Sequence, residues 1–256
     1  YGPEIVIGGQ LSEQKKPSVS KQKVSKVMTM DLSIADLPVL SSHKIANDPV
    51  VPLAFLMELQ VQAAAKSNPG VKIIGMDDVR LLNGIRPKAK VTADVNIGKC
   101  RPAENCLEVY STVTSKNNDD NDSLHTRANV LLKEDRPKPP VLSKAAFMDL
   151  APYEKNVAEA YEKVLFHGPD LQSIQAVNGC SKKGIEVVTS LAPSPAVWMK
   201  TKAFAGWIME PMMLDAAFQA AILWTFENMG AVCLPSYLAN LRLYESFDQL
   251  NGHVRI

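Results

Sequence analysis

Cysteine is scarce, four residues in 256 (Cys100, Cys106, Cys180 and Cys233), and no two stand in a CxxC pair. That excludes a disulfide-built module and a zinc ribbon, and it fits a reduced, cytoplasmic setting. Charge of one sign is lacking too: 28 Lys+Arg against 27 Asp+Glu leave +1, too little field to hold a nucleic acid. No apolar run reaches the ~20 residues that cross a bilayer, and no basic segment followed by an apolar core opens the chain. HExxH and a glycine-rich phosphate loop are also absent, and Gly8-Gly9 is isolated. Neither a metal nor a diffusible cofactor is expected on these grounds.

What is present is ordinary globular material, 46% hydrophobic and 21% charged, enough for a sizeable core. Residues 1–26 are polar and rich in Lys and Ser, and read as a linker or the tail of an upstream domain. From Val27 five strand-like segments follow (28–33, 71–82, 90–98, 106–114 and 126–133). The tract Lys116–Asp122 reads as a solvated hairpin connection rather than a metal loop, since the EF-hand glycine and terminal Glu are missing. One helix, Pro52–Lys66, interrupts them, with Leu53, Leu56, Met57 and Val61 on its buried face.

A strand, a helix and then a run of antiparallel strands is the order of a hotdog, an α+β unit in which a sheet wraps one helix. Three prolines among charges at 134–140 break the chain. Beyond them come a short helix at 153–165, strands at 174–177 and 185–191, and a second proline-started helix, Pro211–Asn228. The expectation is a double hotdog. Its N-terminal unit (27–134) carries His43, a linker covers 135–143, and its C-terminal unit (144–256) carries Asp215. The closing segment 252–256 reads as a strand in progress, so the chain is expected to be a piece of a larger polypeptide.

Two of the four histidines stand in suggestive settings. His43 precedes Pro49 and Pro52, which confine the backbone around it, although a plain loop histidine is the rival reading. Asp215 lies among Met212, Met213, Leu214 and Phe218, where desolvation is expected to raise its pKa and keep it protonated as a general acid. The opposing reading is a first-turn aspartate held ionised by the helix dipole. Gln219, one turn on, shares its face.

The spacing of His43, Asn47 and Pro52 resembles the HxxxGxxxxP motif of polyketide synthase dehydratase domains, and Asp215 with Gln219 resembles their DxxxQ motif. Phe166-His167-Gly168-Pro169-Asp170-Leu171-Gln172 is similar to their YGPxFQ element, and Leu234-Pro235-Ser236-Tyr237 to their LPxSW-like segment. The His-Gly-Pro variant also resembles polyunsaturated-fatty-acid synthases. The resemblance implies loss of water from a 3-hydroxyacyl thioester, with His43 as base and Asp215 as acid. Asn47, Pro52, His167, Gly168, Pro169, Gln219 and Tyr237 would orient substrate, and a backbone N–H near Gly168 would hold the thioester oxygen.

The same resemblance implies no cofactor beyond the phosphopantetheine of an acyl carrier protein. It implies that carrier, neighbouring synthase domains such as a ketoreductase, and a second copy of the chain as partners. Met209, Met212, Met213 and Trp207 either line the acyl path or are ordinary core. Asn47 in place of glycine and His167 in place of tyrosine depart from the pattern. They keep open an inactive structural module, and a cyclase or isomerase of the same fold is a further alternative.

Overall fold

The computed structural model describes residues 23–87, 90–116, 122–140, 150–247 and 254–255. The segment 1–22 of the expected linker, most of the 116–122 connection and the end of the 135–143 linker lie outside them. In chain order the elements are β1 (Val24–Leu32), β2 (Lys44–Ile45), β3 (Asp48–Pro49), α1 (Leu53–Ser67), β4 (Lys72–Leu81), β5 (Val91–Gly98), β6 (Arg101–Pro102), β7 (Leu107–Lys116) and β8 (Asp122–Lys133). Then follow α2 (Val157–Lys163), β9 (Ile174–Ser181), β10 (Gly184–Thr189), α3 (Pro195–Trp198), α4 (Pro211–Met229), β11 (Tyr237–Arg242) and β12 (Val254–Arg255).

Strands β1, β5, β7, β8, β4 and β11 form one antiparallel sheet in that order, with β6 on β7. α1 packs against its β1, β4, β5, β7 and β8. A second sheet, β12-β10-β9, packs against α4. This is the expected α+β double hotdog, a sheet against a central helix twice over in one chain.

Three details differ from the sequence reading. β1 begins at Val24, because Val24–Lys26 pair with Asn96–Gly98 of β5 although their side chains are polar or half-exposed. The expected single buried face of α1 is too narrow: every residue from Leu53 to Val61 is buried, Glu58 and Gln60 included, because α1 meets sheet on one side and α4 on the other. The helix expected over 153–165 is only α2, which starts where Asn156 and Glu159 make a reciprocal capping box.

The core continues across the two units, from Leu56, Met57 and Leu59 of α1 to Met213 and Leu214 of α4. Each fully buried Leu or Met contributes roughly 1.5–3 kcal/mol of transfer free energy. The halves are also joined through backbone. β11, from the second half, pairs with β4 of the first, with Leu241 opposite Met76 and Arg242 opposite Gly75. Gly75 has φ of 154°, and a Cβ there would stand 2.1 Å from the Leu241 carbonyl oxygen, so only glycine lets the two strands meet. Arg242 locks the same seam through a paired contact with the Asp77 carboxylate (2.5 and 3.1 Å).

Candidate active site

His43 follows a short 3₁₀ turn, Pro38–Ser42, and its placement comes from the backbone on both sides. Its N–H donates to Leu40 O (3.2 Å) and its carbonyl accepts from Val50 N (2.9 Å). Between these two anchors the β2–β3 hairpin turns through Ala46 (φ 52°) and Asn47 (φ 69°), the left-handed pair that suits a two-residue hairpin. Asn47 thus adopts the conformation a glycine would take there, and it is exposed on the turn. His43 Nδ1 lies 2.7 Å from Val50 O. A carbonyl can only accept, so Nδ1 carries the hydrogen and Nε2 is left with its lone pair.

His167 comes to His43 from the other half through a β-bridge, with ring centroids 5.2 Å apart. The approach is close because Gly168 N–H donates to Ser42 O at 2.7 Å, and a Cβ on Gly168 would stand 2.9 Å from Ser42 Cα. Ser42 also donates to Asp170 Oδ2 (2.8 Å) and accepts from Asp170 N (3.2 Å), which fixes the Pro169–Leu171 turn. The Phe166 ring stacks on His167 at 4.2 Å and meets His43 edge-on at 5.1 Å. The Gly168 N–H is therefore already bonded. It is not free for a thioester oxygen, contrary to the most direct form of the sequence expectation.

Asp215 stands in the second turn of α4, whose start is set by Glu210. That residue takes the left-handed conformation (φ 57°), and its carboxylate accepts from Met213 N (2.6 Å) and from Ala192 N. Burial pushes the Glu210 carboxyl up to about 7, against these two donors. Glu58 of α1 is fully buried and binds the segment leading into α4, accepting from Ile208 N and Met209 N (both 2.8 Å). Burial raises its pKa as well. The position of α4 is thus fixed by a carboxylate from each half of the chain.

His43, His167 and Asp215 are all buried, and one ligand-type atom of each lies within 4.8 Å of the others. His167 Nε2 is 3.3 Å from Asp215 Oδ2. Gln219 Nε2 donates to Asp215 Oδ2 (2.8 Å) and to Leu171 O (2.9 Å), and Gln219 Oε1 accepts from Tyr161 Oη (2.7 Å). Tyr161 Oη in turn accepts from Ile174 N (2.9 Å).

Burial depresses the pKa of His43, and the neighbouring His167 acts the same way while Asp215 opposes them. For Asp215 burial acts upward, but hydrogen bonding and charge from His167, the charge of His43 and the Gln219 amide outweigh it. Its pKa lies below the ordinary value. The expectation that desolvation alone keeps Asp215 protonated is corrected accordingly.

An apolar cavity lies between Leu37, Leu40, Phe55, Leu171 and Trp198, with Pro52 at its wall and Asp215, the member of the cluster that reaches it, as its one titratable lining residue. Met209, Met212 and Met213 are not among its lining residues. All three are buried in the core. Tyr237, expected near substrate, lies exposed on β11 under the Arg80 guanidinium (4.5 Å). No hydrogen bond or ring contact among the described residues joins it to the buried cluster. Ser42, Tyr161, Glu210 and Trp198 were missed in the sequence. Only Trp198, a large aromatic at the end of the short proline-started α3, carried any local signal.

The second half of the chain, residues 148–256, matches the family described as polyketide synthase dehydratase N-terminal domain. The dehydratase domain from the CurF module of curacin polyketide synthase superposes with a TM-score of 0.71 at 15% identity, covering 94% of this chain and 84% of that one. The fold is that of a polyketide synthase dehydratase domain. The dehydratase of the polyketide synthase PpsC from Mycobacterium tuberculosis is similar as well, with TM-score 0.65, 16% identity, and coverage of 85% of this chain and 76% of that one.

Two further solved structures are CurK dehydratases, one with histidine changed to phenylalanine and one with aspartate changed to asparagine. Each is named an inactive mutant, and both have a TM-score of 0.67, at 16% and 17% identity, with coverage of 94% of this chain and 82% of theirs. By sequence, a polyunsaturated fatty acid synthase polypeptide from Thraustochytrium sp. is 21% identical over 244 residues, 93% of this chain. The chain spans 8% of the length of that relative. No helix among the described residues is long and apolar enough to cross a membrane.

Proposed function

We propose that the chain removes water from 3-hydroxyacyl thioesters, giving 2-enoyl thioesters, as the dehydratase domain of a polyketide or polyunsaturated-fatty-acid synthase. The observation that carries this reading is the meeting of His43 with Asp215 and His167, from opposite halves of the chain, with Asp215 also at the wall of an apolar cavity. His43 Nε2 takes the proton from the α carbon. The C3–O bond then breaks, and Asp215, contacted by His167, gives a proton to the departing hydroxyl, which leaves as water. Each well-placed transfer contributes ~10²–10⁴-fold. Gln219, held by Tyr161, fixes the carboxylate that takes part.

The apolar cavity receives the acyl chain, and the phosphopantetheine arm of an acyl carrier protein delivers it. Neighbouring synthase domains, a ketoreductase among them, and a second copy of the chain are the further partners in this reading. The left-handed turn at Asn47 supports it against an inactive module, because that departure from glycine leaves the hairpin before Val50 intact.

The test is to incubate the purified chain with a short 3-hydroxyacyl pantetheine thioester and follow the loss of one water by mass. Product that disappears in both His43→Ala and Asp215→Asn is the expected result. Absence of both dehydration and the reverse hydration of an enoyl thioester would favour the structural module instead.

A further inference from the structure

From the same cluster we infer a second property: His43, His167 and Asp215 form a binding site for a divalent transition ion of the Zn²⁺ class. Two imidazoles and a carboxylate are a donor set that such ions accept, with positions left over for water. The 3.3 Å between His167 Nε2 and Asp215 Oδ2 is the edge expected of a tetrahedral site, since ligands ~2.0–2.2 Å from zinc stand about 3.3–3.5 Å apart. The third ligand atom lies within 4.8 Å of both, so a modest rotation of one ring closes the set.

The surroundings match those of metal ligands. A ligating histidine commonly donates its other N–H to a carbonyl, which fixes the tautomer, and His43 does this to Val50 O at 2.7 Å. Ligating carboxylates are themselves hydrogen-bonded, and Asp215 accepts from Gln219 at 2.8 Å. His167 has a buried Nδ1 without a hydrogen-bond partner, so that no second bond ties its ring to the present contact with Asp215. Tyrosine in its place, as in the pattern that the His-Gly-Pro element departs from, would leave one imidazole and one carboxylate, a poorer set.

The ion would sit on the same side chains to which the proposed function gives the roles of base and acid. Zn²⁺ therefore closes the site. Binding does not depend on the dehydratase reading, whereas this consequence for turnover rests on it.

Calorimetric titration of the purified chain with ZnCl₂, read beside the rise in Tm, tests the binding without any turnover assay. One ion per chain is expected, with affinity at least ~10²-fold weaker in His167→Tyr and in Asp215→Asn, because loss of an outer-shell partner alone costs ~10–100-fold. Far-UV circular dichroism shows that each variant is folded. Co²⁺ in place of Zn²⁺ should give visible absorption in the parent chain that both variants lack. No binding by the parent chain overturns the proposal. So does binding unchanged in both variants, which would place the ion elsewhere on the chain. If Zn²⁺ binds as described and no thioester is dehydrated, the functional reading fails while the site stands.

Discussion

His167 Nε2 stands 3.3 Å from Asp215 Oδ2, and both side chains are buried. Burial alone would raise the Asp215 pKa, and the contact with His167 helps to hold it below the ordinary value instead. Replacing either partner therefore removes more than one hydrogen bond.

The acid limb of the pH–rate profile follows from His43. As base it must be neutral, and burial depresses its pKa below the ordinary histidine value of 6.5. Activity lost to protonation of this ring on acidification should therefore fall with a midpoint below pH 6.5. The measurement is kcat/KM against pH. A limb centred above 6.5 would assign the titration to another group.

Tyr161→Phe should weaken both fold and site. The change leaves Gln219 Oε1 and Ile174 N without a partner in the interior. An unmet buried group costs about 1–3 kcal/mol, so Tm should fall by roughly 2–10 °C. With Gln219 held only through its Nε2, by Asp215 and Leu171, kcat should drop more than KM changes. A thermal melt and steady-state kinetics on the same sample separate the two effects.

Glu210 gives stability a pH dependence of unusual sign for a carboxylate. Its folded-state pKa is raised to about 7 from an ordinary 4.5, so between these values the folded state holds more protons than the unfolded one. Its contribution is complete below pH ~4.5 and is lost as the pH rises through about 7. Glu210→Gln cannot titrate and should lack this slope. Urea unfolding of both proteins at pH 5 and pH 8 reads the difference, at most ~3 kcal/mol at 1.36 kcal/mol per unit. Equal slopes would contradict it.

Gly168→Ala should lower turnover far more than it lowers Tm. The new Cβ meets the backbone of Ser42 at 2.9 Å and pushes the two histidine-bearing segments apart. A 1 Å misplacement of reacting groups can cost ~10²-fold in rate. Turnover within a few-fold of the parent chain would mean that the bridge between His43 and His167 is not needed for positioning.

Much of this was legible in the sequence for local reasons. The strand segments announce themselves by β-branched runs, and α4 by Pro211 at its first position. His43 and Asp215 were found through motif spacing, and they do converge. The rest depended on partners far along the chain. Burial of Asp215 was readable from its apolar neighbours, but the direction of its pKa was not, because His167 and His43, which reverse it, belong to other elements. Tyr161 reaches Gln219 across 58 positions, and Glu58 reaches Met209 across 151. Tyr237 was misplaced for the opposite reason: its motif fixes a position on β11, while the pairing of β11 with β4 decides what surrounds it.

That pairing of β11 with β4 bears on descent. A hotdog that once stood alone would have had to leave this edge open or meet a separate chain there. Here the strand that covers it is supplied by the other half, against a glycine that tolerates no side chain. Once such a seam exists, neither half can drift independently. A side chain at position 75 would run into the backbone of Leu241, so a change on one side of the seam is felt on the other whatever the two sequences have in common.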